Sequence, residues 1–294
     1  MRSFPHLPDV RGSQPLDDLL TGHLWLLELI DGTGLRFRMD ESGLLRFGDS
    51  ETTYADAEAV PLALRPAVRY VRDRFDREAF RSAVDDPEEV VFFGVATHHR
   101  GTDYDWDRLP PFLGTDVWTG SRGGSDRGAN AESKAGSFRP PDAATAIFEG
   151  IGLGSVNAIE REVNARDFDP EAYEIPGSAW RDGPAAGVVV RNKRGGRGKI
   201  LADRAAAEAE GKTLTSDDPE AIAATHATDN RFERVIGDLD RRGEGVTVDA
   251  VTDRVVELIA RETPVRFGGG GTSADPDRVR AAIIERARVV LDGR

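Results

Sequence analysis

Five basic side chains fall within nine residues: Arg191, Lys193, Arg194, Arg197 and Lys199. In a chain of formal net charge −13, such a run is a local patch able to contact phosphates, since cations held close to a phosphate backbone release its counterions. The same run reads equally as a solvated turn. Upstream, Glu28 and Asp31 set two carboxylates beside a turn that ends an apolar stretch. Other patterns fail on spacing. Arg194 to Ile200 has glycines and a lysine but lacks the four-residue gap of a phosphate loop, and Ile200 stands where Ser or Thr must follow the lysine. Gly150 to Gly154 misses the dinucleotide spacing. His98 and His99 are adjacent, so on a strand they point to opposite faces, and no third ligand follows. Asp103 to Asp107 alternates like a calcium loop but puts Arg108 where the sharp turn needs glycine. There is no GxSxG elbow for a serine nucleophile, and the absence of cysteine excludes thiolate chemistry and disulfides.

Composition bounds what these groups can serve. The 294 residues are 39% hydrophobic and 31% charged, and no run of eighteen apolar residues could cross a bilayer, so the expectation is a soluble, cytoplasmic protein with no membrane partner. Nothing at the start of the chain reads as a signal peptide. Lys134, Lys193, Lys199 and Lys212 are the only lysines among 39 basic residues. A high-salt cytoplasm favours such an acidic, lysine-poor surface, and a GC-rich genome makes the same exchange of lysine for arginine.

The elements that must position these groups follow from periodicity. Residues 23–47 are apolar runs broken by Asp-Gly and Glu-Ser-Gly, which predicts short strands joined by turns. Further strands are expected at 90–95, 112–118 and 187–190, and a helix over 61–83 with Pro66 in its first turn. Residues 143–168 are expected to carry one or two helices. Apolar residues at i, i+3 and i+4 predict helices at 217–241, 247–262 and 275–291, the last two separated by a glycine-rich connector. Residues 120–141, rich in Gly, Ser and charge, are expected to form a mobile surface loop.

Several of these segments together resemble the ATP-dependent RNA ligases of the nucleotidyltransferase superfamily. Glu28-Leu29-Ile30-Asp31-Gly32 is similar to the first motif, Glu-Lys-x-Asp-Gly, after an apolar strand. Phe92-Phe93-Gly94-Val95 resembles the third motif and Phe112 to Trp118 the strand that follows it. Ala186-Gly187-Val188-Val189-Val190-Arg191 resembles the fourth, and Lys199 stands where the lysine of the fifth falls. The resemblance implies an α+β fold. It comprises a nucleotidyltransferase (ATP-grasp-like ligase) domain of mixed antiparallel sheets and helices over 20–205, an extension over 1–19, and a small helical C-terminal region over 215–294.

The departures fall on the reactive groups. The family's nucleophilic lysine, which forms a lysyl-AMP, is replaced by Leu29, and its third- and fourth-motif glutamates by Val95 and Ala186. A hydrocarbon at 186 cannot supply the oxygen ligand that magnesium prefers. The resemblance therefore implies a catalytically degenerate, RNA-ligase-like protein, a pseudoenzyme binding RNA ends or nucleotide without a covalent step. Glu28, Asp31, Gly32 and Lys199 would meet a nucleotide; Arg191, Lys193, Arg194 and Arg197 would meet RNA. ATP and Mg2+ are the family's cofactors, and no metal ligand set is assigned to this chain. Two alternatives stand beside this reading: an active ligase for pre-adenylated RNA ends, and a non-enzymatic module whose C-terminal helices hold a protein partner.

Overall fold

Alternation of side chains along paired strands organises the computed structural model, which describes residues 1–12, 18–120, 136–202, 217–268 and 273–293. Strands β1 (His23–Glu28), β7 (Ala158–Asn164), β8 (Gly187–Asn192) and β9 (Arg197–Leu201) form an antiparallel sheet in the order β7-β1-β8-β9. Strands β2 (Gly32–Met39), β3 (Leu45–Gly48), β4 (Val90–Thr97), β5 (Phe112–Thr119) and β6 (Ser137–Phe138) form a second, in the order β3-β2-β4-β5-β6. Each sheet is covered on its outer face. Leu24, Leu26, Val188, Val190 and Ile200 of the first sheet pack with Phe168. Leu35, Phe37, Phe92, Phe112 and Val117 of the second pack against helices α1 (Arg65–Arg74), α2 (Arg77–Ala83) and α3 (Pro141–Gly150). The intervening residues of the same strands turn toward the other sheet, and Trp25, Leu27, Val95, Leu113 and Val189 meet there in a separate apolar cluster.

The structure matches the expected α+β architecture of antiparallel sheets and helices, and departs from several local expectations for identifiable reasons. The helix expected over 61–83 breaks at Phe75-Asp76, because Phe75 turns its ring into the core and Asp76 accepts from the Ala79 amide as an N-cap. Residues 158–164 are a strand, where a helix was expected, because they complete the free edge of β1. The segment 217–241 is two helices, α4 (Pro219–His226) and α5 (Asp229–Arg242), divided where Thr228 caps the second. Of the loop expected at 120–141, residues 121–135 lie outside the described residues. Its tail is structured: Phe138 lies 5.5 Å from Phe93 with the rings tilted, and α3 begins at Pro141.

Helices α4 and α5, with α6 (Val248–Glu262) and α7 (Pro276–Asp292), enclose their own core of Ile222, Phe232, Ile236, Val255, Ile259 and Ile283. Arg261 joins this bundle to the second sheet. Only 2% exposed, it donates to the carbonyls of Thr97 (3.1 Å) and Leu109 (2.6 Å) and to Thr97 Oγ1, while pairing with Glu262. Burial lowers its pKa to about 10, and Glu262 opposes that shift. Arg261→Leu removes the donors and leaves buried acceptors unpaired, which should cost roughly 3 to 4 kcal/mol. Thermal unfolding should then fall by roughly 6 to 15 °C; a shift under about 2 °C would show that the contact carries no stability.

Candidate functional site between the two sheets

The inter-sheet space is lined by the inward residues of six strands. Because Val188, Val190 and Ile200 face outward, Val189, Arg191, Arg197 and Lys199 face in, with Val189 paired to Lys199 and Arg191 to Arg197 across β8 and β9. From the second sheet, Gly34, Arg36, Phe93, Asp116 and Trp118 face the same space, opposite to the outward Leu35, Phe37, Phe92 and Val117. A shift of register between Phe93 and Gly94 makes Thr115 the extra residue of a bulge, so Leu113 and Asp116 share one face. The bulge also frees the Thr115 carbonyl, which accepts from Arg191 Nη1 at 2.7 Å.

Asp116 is the electrostatic centre of this space. Its Oδ1 accepts from Arg191 Nη2 at 2.8 Å and from Arg197 Nη1 at 2.5 Å. Arg197 also lies over the Phe138 ring, 4.4 Å from its centroid. Burial holds the Arg191 guanidinium below its ordinary pKa; Asp116 pulls it back up and Arg197 pushes it further down. The five-residue basic run is therefore dispersed. Arg191 and Arg197 are buried clamps, Lys193 pairs with Glu162 (2.8 Å) and Asp142 (3.3 Å), Arg194 is exposed, and Lys199 is half-buried toward the cleft.

The motif positions are placed as follows. Leu29 and Ala186 are neighbours, since the Leu29 amide donates to the carbonyl of Gly187 at 3.0 Å. Val95 packs in the inter-sheet apolar cluster. Glu28 is buried, and its oxygens accept from Ser178 Oγ (2.5 Å) and the Ala179 amide (3.1 Å), so its carboxylate serves that turn. Asp31 accepts from the Thr102 amide at 3.1 Å, and its own amide donates to the Tyr104 hydroxyl. Gly32 is required by close approach: a Cβ there would lie 2.2 Å from the Ala96 carbonyl oxygen. Among the described residues no group of three or more His, Asp or Glu could hold a metal ion. The hydrocarbon side chains of Leu29, Val95 and Ala186 offer magnesium no oxygen ligand.

Two features escaped the sequence reading. Residues 1–12 cross the mouth of the cleft, with Phe4 edge-on to Phe93 at 5.1 Å and Val10 and Pro8 bonded to the backbone of Lys199. Phe4 and Arg36 are far apart in sequence, and nothing in the pattern signalled their contact. A groove of about 510 Å³ beside α1, α5 and α6 is lined by eight arginines, among them Arg69, Arg234 and Arg242. They come from separate segments, so no motif announced them. Glu257, Glu262 and Asp73 pair with Arg69, Arg234 and Arg242 in turn.

No family model and no curated protein matches the chain. Solved structures do. A ligand-free single-residue variant of the RNA ligase of Naegleria gruberi is 11% identical with TM-score 0.50, over 71% of this chain and 57% of that one. An archaeal ATP-dependent RNA ligase is 15% identical with TM-score 0.47, covering this whole chain and 67% of the ligase chain. The fold is thus similar to that of the Naegleria RNA ligase.

His98 follows β4 beside the first residues of β2, its Nε2 2.8 Å from Thr33 Oγ1. Burial, with Arg100 nearby, lowers its pKa from 6.5 to about 4. A folded-state pKa below the unfolded one means that the unfolded chain binds the extra proton. The contribution is therefore fully present above about pH 6.5 and is lost as pH falls toward 4, by up to roughly 3 kcal/mol. His226, lowered in the same direction by burial and Arg231, adds to the slope. Urea midpoints across this window should flatten in His98→Gln relative to the unaltered chain; parallel profiles would show that His98 does not titrate on unfolding.

Proposed function

We propose that this chain is an RNA-ligase-like protein that has lost adenylyl transfer and binds 5′-phosphorylated RNA ends. One observation carries the reading: on a fold similar to that of RNA ligases, the positions that resemble the family's nucleophile and two carboxylates hold Leu29, Val95 and Ala186, while the facing space holds Arg36, Arg191 and Arg197. Hydrocarbon at those three places removes the attacking amine, the ribose contact and the metal's oxygen ligand together. Loss of such a nucleophile costs about a million-fold in rate, so no adenylated enzyme should accumulate. The guanidinium groups suit phosphate recognition, being always charged and forked to match its oxygens. Exposed Arg194 at the β8–β9 turn and half-buried Lys199 extend that cationic character to the cleft mouth.

The test uses purified protein with labelled ATP and magnesium, then with 5′-phosphorylated and pre-adenylated RNA. The expected result is no covalent label and no sealing, with retention of 5′-phosphorylated RNA that weakens as salt rises. Covalent label would overturn the loss of adenylyl transfer. Sealing of the pre-adenylated strand would make the chain an enzyme for the final ligation step.

A further inference from the structure

The inter-sheet space has more buried positive than negative charge, and a segment of the chain lies over it. Arg36, Arg191 and Arg197 are each at most 8% exposed, and Asp116 is the carboxylate bonded to two of them. Among the described residues Arg36 Nε and Arg191 Nε have no hydrogen-bond partner, an expensive condition for buried donors. Arg36 Nη1 is satisfied at 2.7 Å by the backbone carbonyl of Arg2, a neutral acceptor on the crossing segment. Asp49 feels the charge of Arg36 but directs its oxygens to Glu51, Thr52 and Tyr54.

The crossing segment is held unevenly. Its root is fixed: Arg11 donates to the carbonyls of Pro170 (2.8 Å) and Tyr173 (2.6 Å), and the Val10 and Lys199 amides bond to the carbonyls of Lys199 and Pro8. Its tip has much less. Phe4 fills the place left by Gly34, where an added Cβ would lie 2.8 Å from its ring. Arg2 reaches the Trp118 ring at 5.4 Å, and Arg2, Ser3 and His6 are exposed.

We propose that residues 2–7 are a hinged cover over a cationic site for a phosphate-type oxyanion, with Arg36 as its principal donor and Lys199 at its rim. An entering oxyanion displaces the Arg2 carbonyl from Nη1 and gives the buried guanidinium a charged acceptor in place of a neutral one. Anchoring at residues 8–11 lets the tip swing without unfolding either sheet. The proposal deepens the reading of the cleft as a phosphate-binding site and rests on it.

The test titrates inorganic pyrophosphate by calorimetry into the full chain and its Phe4→Ala, Arg36→Gln and Arg36→Lys variants. A second titration uses a 5′-phosphorylated RNA oligonucleotide, which distinguishes a free anion from an RNA end. Phe4→Ala should bind at least about fivefold more tightly, because the cover loses its ring contact. Arg36→Gln should weaken binding at least about tenfold, with Arg36→Lys between, since lysine keeps the charge and loses the fork. Amide exchange should show pyrophosphate accelerating residues 3–7 while Val10 stays protected. Binding that weakens in Arg36→Gln but is unchanged in Phe4→Ala overturns the cover and leaves the phosphate site standing. Equal binding by all Arg36 variants, or none by any protein although Phe4→Ala exchanges faster at 3–7, overturns the site itself.

Discussion

The carboxylate of Asp116 holds two arginines of the opposite sheet on one oxygen, and the geometry between the sheets depends on it. Two cations and one anion in a dry space are costly to desolvate, so the arrangement stands only because other groups share the load. The Thr115 and Arg139 carbonyls accept from Arg191, and the Phe138 ring faces Arg197. The β5 bulge makes this possible by keeping Asp116 on the inner face and turning the Thr115 carbonyl out of the ladder. A local irregularity in one strand thus sets the electrostatics of the cleft.

Arginine plays the same structural part elsewhere. With four lysines in the chain, nearly every cation is a planar fork that can take several acceptors at once. Arg261 uses its fork to tie the helical bundle to β4, and Arg69 pairs with Glu257 to tie α1 to α6. The acidic balance of the chain is therefore an outer property; inside, arginine sets how the layers meet.

Much of the scaffold was legible in the sequence because burial on both faces leaves long apolar strands and paired turns leave glycine. β1, β4, β5 and β8 could be read this way, as could the i, i+3, i+4 faces of α6 and α7. The break at Asp76 and the strand at 158–164 were not legible, because one depends on a cap competing with a helical stripe and the other on an open sheet edge. The site was less legible still. Sequence spacing joined Arg191 and Arg197 to Arg194 as one exposed strip, whereas their strand parity and the distant Asp116 turn them inward. Such a partner, 81 residues from Arg197, leaves no periodic trace.

Clamping of the two sheets across the cleft by a buried carboxylate is tested most directly by urea unfolding of Asp116→Asn. The substitution keeps the shape and one acceptor oxygen while removing the charge that offsets Arg191 and Arg197. Loss of one partner of a buried ionic group predicts a destabilisation of roughly 3 to 5 kcal/mol with an unchanged dependence on urea. A loss below about 1 kcal/mol, the scale of an exposed ion pair, would contradict the clamp and leave the apolar cluster around Trp25 and Leu113 to hold the sheets together.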